Sequence, residues 1–243
     1  MLSKTPSFGM LILSLGLLAA HADEHKSVSV ERIDDAIHYR GPITPDGVKQ
    51  LLTTHDRDNI RWLVMNSAGG EVNLAMDLGD WVFQKNLRVR VVDRCLSSCA
   101  NYIFTAATVK VVTQGAIVAW HGSAIQSDVQ SRAEISEVIE TEILPRTPTS
   151  QHATVKSKIL RETLDSLKRS RERQAKFFEK IQVDERITTI GEGHPAIQDF
   201  WFLSVAAMER FGIGFVVAPS DYAATNTARF GEDTVTYFAT DAK

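Results

Sequence analysis

The sequence predicts an α/β fold on a largely parallel sheet. From residue 29 to 120, short apolar strand-like runs alternate with helix-like runs, the pattern of βαβ units. The helices between strands are long enough to serve as crossovers. A highly charged helical stretch in the second half adds an element too polar to lie in a core throughout its length.

In chain order, "SVERIDDAIHYRG" ends at the Gly41-Pro42 turn, and "GVKQLLTTH" shows helical spacing at Val48, Leu51 and Leu52. "IRWLVMN" (60–66) reads as a strand broken by "SAGG". "EVNLAMDLGDWVFQK" (71–85) places Val72, Ala75, Met76, Gly79, Val82 and Phe83 on one helical face. "LRVRVVD" (87–93) is the next strand, "SCANYIFTAA" (98–107) an apolar helix, and "VKVVT" and "AIVAWHG" two further strands. "PRTPTSQH" (145–152) interrupts the pattern before a helix over 155–181, with apolar residues at Val155, Ile159, Leu164, Leu167, Phe177, Phe178 and Ile181. A loop over 189–200, a short helix over 203–212 and the strand "FVVAP" follow. Residues 221–243 read as a polar tail, and residues 23–220 as one domain.

The N-terminus has a three-part pattern: Lys4, an apolar run from Met10 to Ala20, and the small residues of Ala20-His21-Ala22. This is the layout of a cleavable signal peptide over residues 1–22, so the expected location is the periplasm or the exterior. The run is shorter than the ~20 residues of a comfortable bilayer span; an uncleaved N-terminal anchor is the alternative, and the only membrane contact expected. Loss of residues 1–22 would leave 221 residues and move the net charge from −3 to −4. That mildly acidic chain has no electrostatic footprint for nucleic acid.

The two cysteines are Cys95 and Cys99. An oxidising compartment permits a bridge between them, with workable geometry if Cys95 precedes the helix and Cys99 lies inside it. No second Cys/His pair follows at ligand spacing, which argues against zinc.

Three pieces form a candidate catalytic constellation. A strand ends in Asn66-Ser67-Ala68-Gly69-Gly70, "CLSSCAN" (95–101) passes from strand to helix, and "VAWHG" (118–122) ends a strand at His121. Double glycine lets backbone N–H groups approach a ligand, a serine at a strand-to-helix handover can act as nucleophile, and an imidazole nearby can take its proton. Each piece also has a structural reading: a turn, an N-cap for either Ser97 or Ser98, and a strand-end histidine. Spacing alone does not choose between these readings.

"MNSAGG" (65–70), "SSCANYIFTAA" (97–107) and "VAWHGS" (118–123) resemble the motifs of the Clp protease proteolytic subunit and its wider ClpP/crotonase-like superfamily. "FLSVAAMERFGIG" (202–214) resembles a later element of that family, so the likeness spans roughly residues 30 to 218. The resemblance implies a spiral of ββα units with a protruding helix. It places the nucleophile on Ser98, with Ser97 as the helix cap, the family's threonine on Thr105, the base on His121 (somewhat nearer the serine than in typical members), and the oxyanion donors on the backbone N–H groups of Gly70 and Cys99. It implies self-association through the 155–181 helix and no cofactor or metal. Ala68 replaces the family's proline, and the position of the family's acid is Ala196. Asp199 is the candidate third residue, Asp184 the next, and Lys156 or Lys158 the choice if a Ser–Lys variant operates. The expected function is an exported serine peptidase acting on peptides or unfolded segments without an ATPase partner. The alternative is a catalytically inactive relative used for binding or assembly. A crotonase-type acyl-CoA enzyme is disfavoured by export away from coenzyme A.

Overall fold

In the computed structural model, the described residues are 28–55, 59–125, 131–224, 227–230 and 233–238. The expected signal peptide lies outside them. Strands β1 (Ser29–Ile33) and β2 (Ala36–Arg40) form an antiparallel hairpin. Helix α1 (Pro45–Gln50) follows, with Thr44 accepting the Gly47 N–H and Pro45 at a position where no amide donor is needed. Strand β3 (Trp62–Ser67), helix α2 (Val72–Gln84) and strand β4 (Arg88–Leu96) make the next crossover. A π-helix over Cys99–Phe104 leads to β5 (Lys110–Val112) and β6 (Ile117–Ala119).

All pairings in the main sheet beyond the first hairpin are parallel. Its order is β1-β2-β3-β4-β5-β8, where β8 is Val216–Val217. The parallel α/β class expected from the alternation is therefore the one observed. Leu63, Val64 and Met65 are buried in succession on β3, as in a sheet covered on both faces. Helix α2 buries Ala75, Met76, Gly79 and Val82 as its spacing requires, together with Leu78 and Trp81; Val72 is half-buried, and Phe83, expected on the same face, is exposed.

Strand β4 divides its pairing. Val89–Val91 lie beside Lys110–Val112 of β5, whereas Arg94–Leu96 lie beside Ile117–Ala119 of β6. The residues just past Leu96 and Ala119 therefore emerge as neighbours at the C-terminal edge of the sheet.

Helix α3 (Arg132–Val138) opens with a reciprocal capping box between Ser131 and Glu134. It runs on in helical turns and reverses into helix α4 (His152–Ile181). Ile135 and Ile139 pack on Leu160 and Leu167 in a cluster separate from the main core. The apolar positions of the outer half of α4 are thus covered by its own chain, and Phe177 and Phe178 anchor its base in the main core. Strand β7 (Phe200–Phe202), helix α5 (Val205–Arg210) and strands β9 (Thr227–Phe230) and β10 (Asp233–Tyr237) complete the chain, with a second sheet ordered β7-β10-β9. This corrects the polar-tail reading of 221–243. "TVTYF" is made of β-branched and aromatic residues, with Val235 and Tyr237 alternating with threonines, and Val235 is buried where β10 pairs with β7. No helix of the described residues is long and apolar enough to cross a membrane.

Candidate active site

Ser97 sits where β4 hands over to the helix, and its backbone is left-handed at φ +55°. That conformation costs a non-glycine residue roughly 1–2 kcal/mol. It is held on both sides: the Ser97 N–H donates to the Ala119 carbonyl at 3.0 Å, and the Asn101 N–H donates to the Ser97 carbonyl at 2.8 Å. A disulfide joins Cys95 at the end of the strand to Cys99 at the start of the helix, with Cα atoms 5.2 Å apart. The strand-then-helix arrangement that makes such a bridge workable is the one observed.

The two serines point to different partners. Ser97 Oγ lies 2.6 Å from His121 Nε2. Ser98 is buried; its Oγ accepts the Gly70 N–H at 2.9 Å and donates to the Gly70 carbonyl at 3.1 Å. The expectation that Ser98 meets the histidine is corrected: Ser98 ties the glycine loop to the strand-to-helix turn, and Ser97 presents the hydroxyl. The same hydrogen bond occupies the Gly70 N–H, which was expected to face an oxyanion. Cys99 remains at the start of the helix, where the first amide groups have no intrahelical acceptor. Thr105 is buried and its hydroxyl donates back to the Asn101 carbonyl at 2.6 Å.

The double glycine is required by close approach. A Cβ on Gly69, at φ +98°, would stand 2.8 Å from Ser97 Cβ and 2.9 Å from the Leu96 carbonyl oxygen. One on Gly70 would stand 2.3 Å from the Ile43 carbonyl oxygen.

His121 is half-buried, with its ring 4.7 Å from that of Phe200. Trp120 and Trp201 exchange backbone hydrogen bonds, both at 2.8 Å, which seats β7 beside the histidine. Past His121, the Gly122 carbonyl accepts from Asn101 Nδ2 at 2.9 Å. Tyr102 donates to Gln174 Oε1 at 2.7 Å, as does the Ala124 N–H at 3.2 Å, and Gln174 Nε2 donates to Ser123 Oγ at 3.0 Å. This buried network fastens the turn after His121 to α4, and burial pushes the Tyr102 hydroxyl above its ordinary pKa. Gln174 was not singled out from sequence, although it occupies a stripe position seven residues after Leu167 and seven before Ile181.

The candidate third residues are engaged in other contacts. Asp199 Oδ2 accepts the Thr234 N–H at 2.9 Å, joining β10 to the start of β7. Asp184 caps the turn Glu185–Thr188, and its hydrogen bond with the Arg186 guanidinium holds its carboxyl below the usual range. Lys156 pairs with Glu140 on the arm formed by α3 and α4, and Lys158 is exposed on the same helix. Among the described residues, no cluster of His, Cys, Asp and Glu is arranged to hold a metal.

No protein-family model matches the chain, and no curated protein matches it in sequence. Solved structures similar to it include an Asn-to-Asp mutant of ClpP1 from Listeria monocytogenes, at 18% identity over 77% of this chain and 94% of that one, TM-score 0.38. A Ser-to-Ala mutant of the 1510-N membrane-bound stomatin-specific protease matches at 16% identity over 43% of this chain and 61% of that one, TM-score 0.30. An enoyl-CoA hydratase from Thermoplasma volcanium matches at 12% identity over 37% and 50%, TM-score 0.29. The chain spans about three-fifths of the stomatin-specific protease and half of the hydratase.

Proposed function

We propose that the chain is an exported serine hydrolase of the peptidase type, with Ser97 as nucleophile and His121 as general base. The observation that carries this reading is the 2.6 Å contact between Ser97 Oγ and His121 Nε2 at a left-handed strand-to-helix turn. With Nε2 as acceptor, His121 takes the hydroxyl proton as Ser97 Oγ attacks a substrate carbonyl, then returns it to the leaving amine. The backbone N–H groups of Ser98 and Cys99, at the start of the helix, are the donors for the oxyanion. Peptides or unfolded segments are the substrates proposed, without an ATPase partner. The Cys95–Cys99 bridge supports an oxidising compartment.

A second reading, a binding or assembly protein on the same fold, is favoured by the engagement of Asp199 with Thr234 and of Asp184 with Arg186. Self-association through α4 would use its charged face, since Leu160 and Leu167 are buried against α3.

The test is covalent labelling of the folded protein with a fluorophosphonate, with the modified residue mapped by mass spectrometry. Modification at Ser97 that disappears in His121→Ala is the expected result. A folded protein that is not labelled, or is labelled equally in His121→Ala, removes the hydrolase reading.

A further inference from the structure

The disulfide encloses Leu96, Ser97 and Ser98, and the middle residue carries both the left-handed backbone and the hydroxyl that meets His121. Each end of the bridge belongs to a different element. Cys95 pairs with Ser67 of β3 and Val118 of β6, whereas Cys99 begins the π-helix. A strand continuing past Cys95 would carry residue 99 about 13 Å away, yet the bridge holds the two Cα atoms at 5.2 Å. A helix begun at Cys95 would also keep them close, but at the loss of the Cys95 and Leu96 pairings with β6. With strand required up to Leu96 and helix required from Cys99, the reversal falls on Ser97 and Ser98. Ser98 is committed to helical backbone at φ −59°, which leaves the left-handed step to Ser97.

We infer that the Cys95–Cys99 bridge is a positioning clamp for Ser97, making the reactivity of its hydroxyl conditional on oxidation. This rests on the hydrolase reading above. Without the bridge, the sheet and core keep the fold, but Cys99 is no longer tied to Cys95. The first helical turn can then unwind, the Asn101 N–H can release the Ser97 carbonyl, and Ser97 relaxes out of the left-handed region and away from His121. Reduction by a dithiol delivers two electrons to the sulfur–sulfur bond, yields two protonated thiols, and leaves the reagent as a cyclic disulfide. Both cysteines are fully buried, so the clamp is set when the chain folds rather than toggled afterwards. A copy folded in a reducing compartment would be native in shape and inert. A chain that folds after export instead closes the bridge as it folds, its two thiols giving up two electrons and two protons to a disulfide oxidant that leaves as a dithiol.

The test compares the oxidised protein, protein refolded with its thiols reduced, and Cys95→Ala/Cys99→Ala. Three readouts are taken: the rate of fluorophosphonate labelling at Ser97, near-ultraviolet circular dichroism, and the imidazole NMR signals of His121. The thiol form and the double variant are expected to keep the native dichroism, label at least about tenfold more slowly, and show shifted His121 signals. Equal labelling rates in all forms overturn the clamp and leave the hydrolase reading standing. If no form is labelled, the hydrolase reading falls and the His121 signals decide alone: unchanged signals overturn the clamp, shifted signals uphold it. Unfolding of both bridge-free forms overturns it too, because the bridge would then hold the fold and not the turn.

Discussion

The serine turn and the α3–α4 arm are held in opposite ways. Over residues 95–99 the chain has a covalent bridge, a left-handed residue, and the hydrogen bonds of Ser97 and Ser98 to β6 and the glycine loop. The arm is held by four buried apolar side chains and by the ion pair of Lys156 with Glu140. Directional contacts fix atoms to within fractions of an ångström, whereas a small apolar cluster fixes only which faces meet. The difference teaches that rigidity is concentrated where two side chains must meet, and that the outer half of the arm, beyond the Gln174 network, can shift without disturbing them.

The largest expected effect breaks the turn at its hydroxyl. Ser97→Ala should lower fluorophosphonate labelling by at least about 10³-fold, while Ser98→Ala should keep labelling within about tenfold and lose about 1 kcal/mol of stability. Loss of labelling in Ser98→Ala alone would reverse the assignment of the two serines. Next, Gly69→Ala adds a Cβ against Ser97 Cβ and the Leu96 carbonyl at a positive φ, and should cost roughly 2–5 kcal/mol in urea unfolding.

Lys110 sharpens the contrast from within the sheet. It is buried, its ammonium donates to the Ala107 carbonyl at 2.6 Å, and burial lowers its pKa from 10.5 to about 8. Between pH 8 and 10.5 the unfolded chain therefore binds more protons than the folded one. Stability should rise with pH across that window by at most about 3 kcal/mol, and the cost of the buried charge is fully present below pH 8. Lys110→Met should abolish that slope in urea unfolding series; an unchanged slope would assign it to other groups.

In the arm, Leu167→Ala should cost about 2–3 kcal/mol, read as faster hydrogen exchange confined to the arm, with labelling at Ser97 unchanged. The smallest effect is that of Lys156→Gln, which removes the exposed pair with Glu140 and should change stability by less than about 1 kcal/mol. A large loss there would mean that the arm is held by charge rather than by its cluster.

The same division governs what could be read from the sequence. Strand–helix alternation and the buried face of α2 were legible because periodicity follows burial directly. Helix α3 was not read, although Ser131 and Glu134 spell a capping box. The second sheet was hidden in a stretch whose polarity outweighed the alternation of "TVTYF". At the turn, the resemblance aligned Ser98 with the nucleophile because Thr105 then matched as well. The histidine spacing pointed the other way, since Ser97 lies one residue farther from His121. What separates adjacent serines is the sign of a backbone angle, and no residue pattern encodes that when the residue is not glycine. Gln174 was masked by its neighbours: within a charged helix a single amide at a stripe position reads as one more polar residue.

The divided pairing of β4 has a consequence for how this pair can be altered. Ile117 and Ala119 of β6 face the small cluster with Phe200 and Phe202, whereas Val118 and Trp120 face the main core. His121 continues the first row. Sliding β6 by one residue would exchange the two rows, bringing an indole to the serine and sending the imidazole into the core. The separation of Ser97 and His121 is thus counted in strand residues. Insertions in the turn at 113–116 leave that count untouched, and a single deletion within 117–121 erases it. A graft of this site onto another scaffold would have to carry both halves of β4 and the whole of β6.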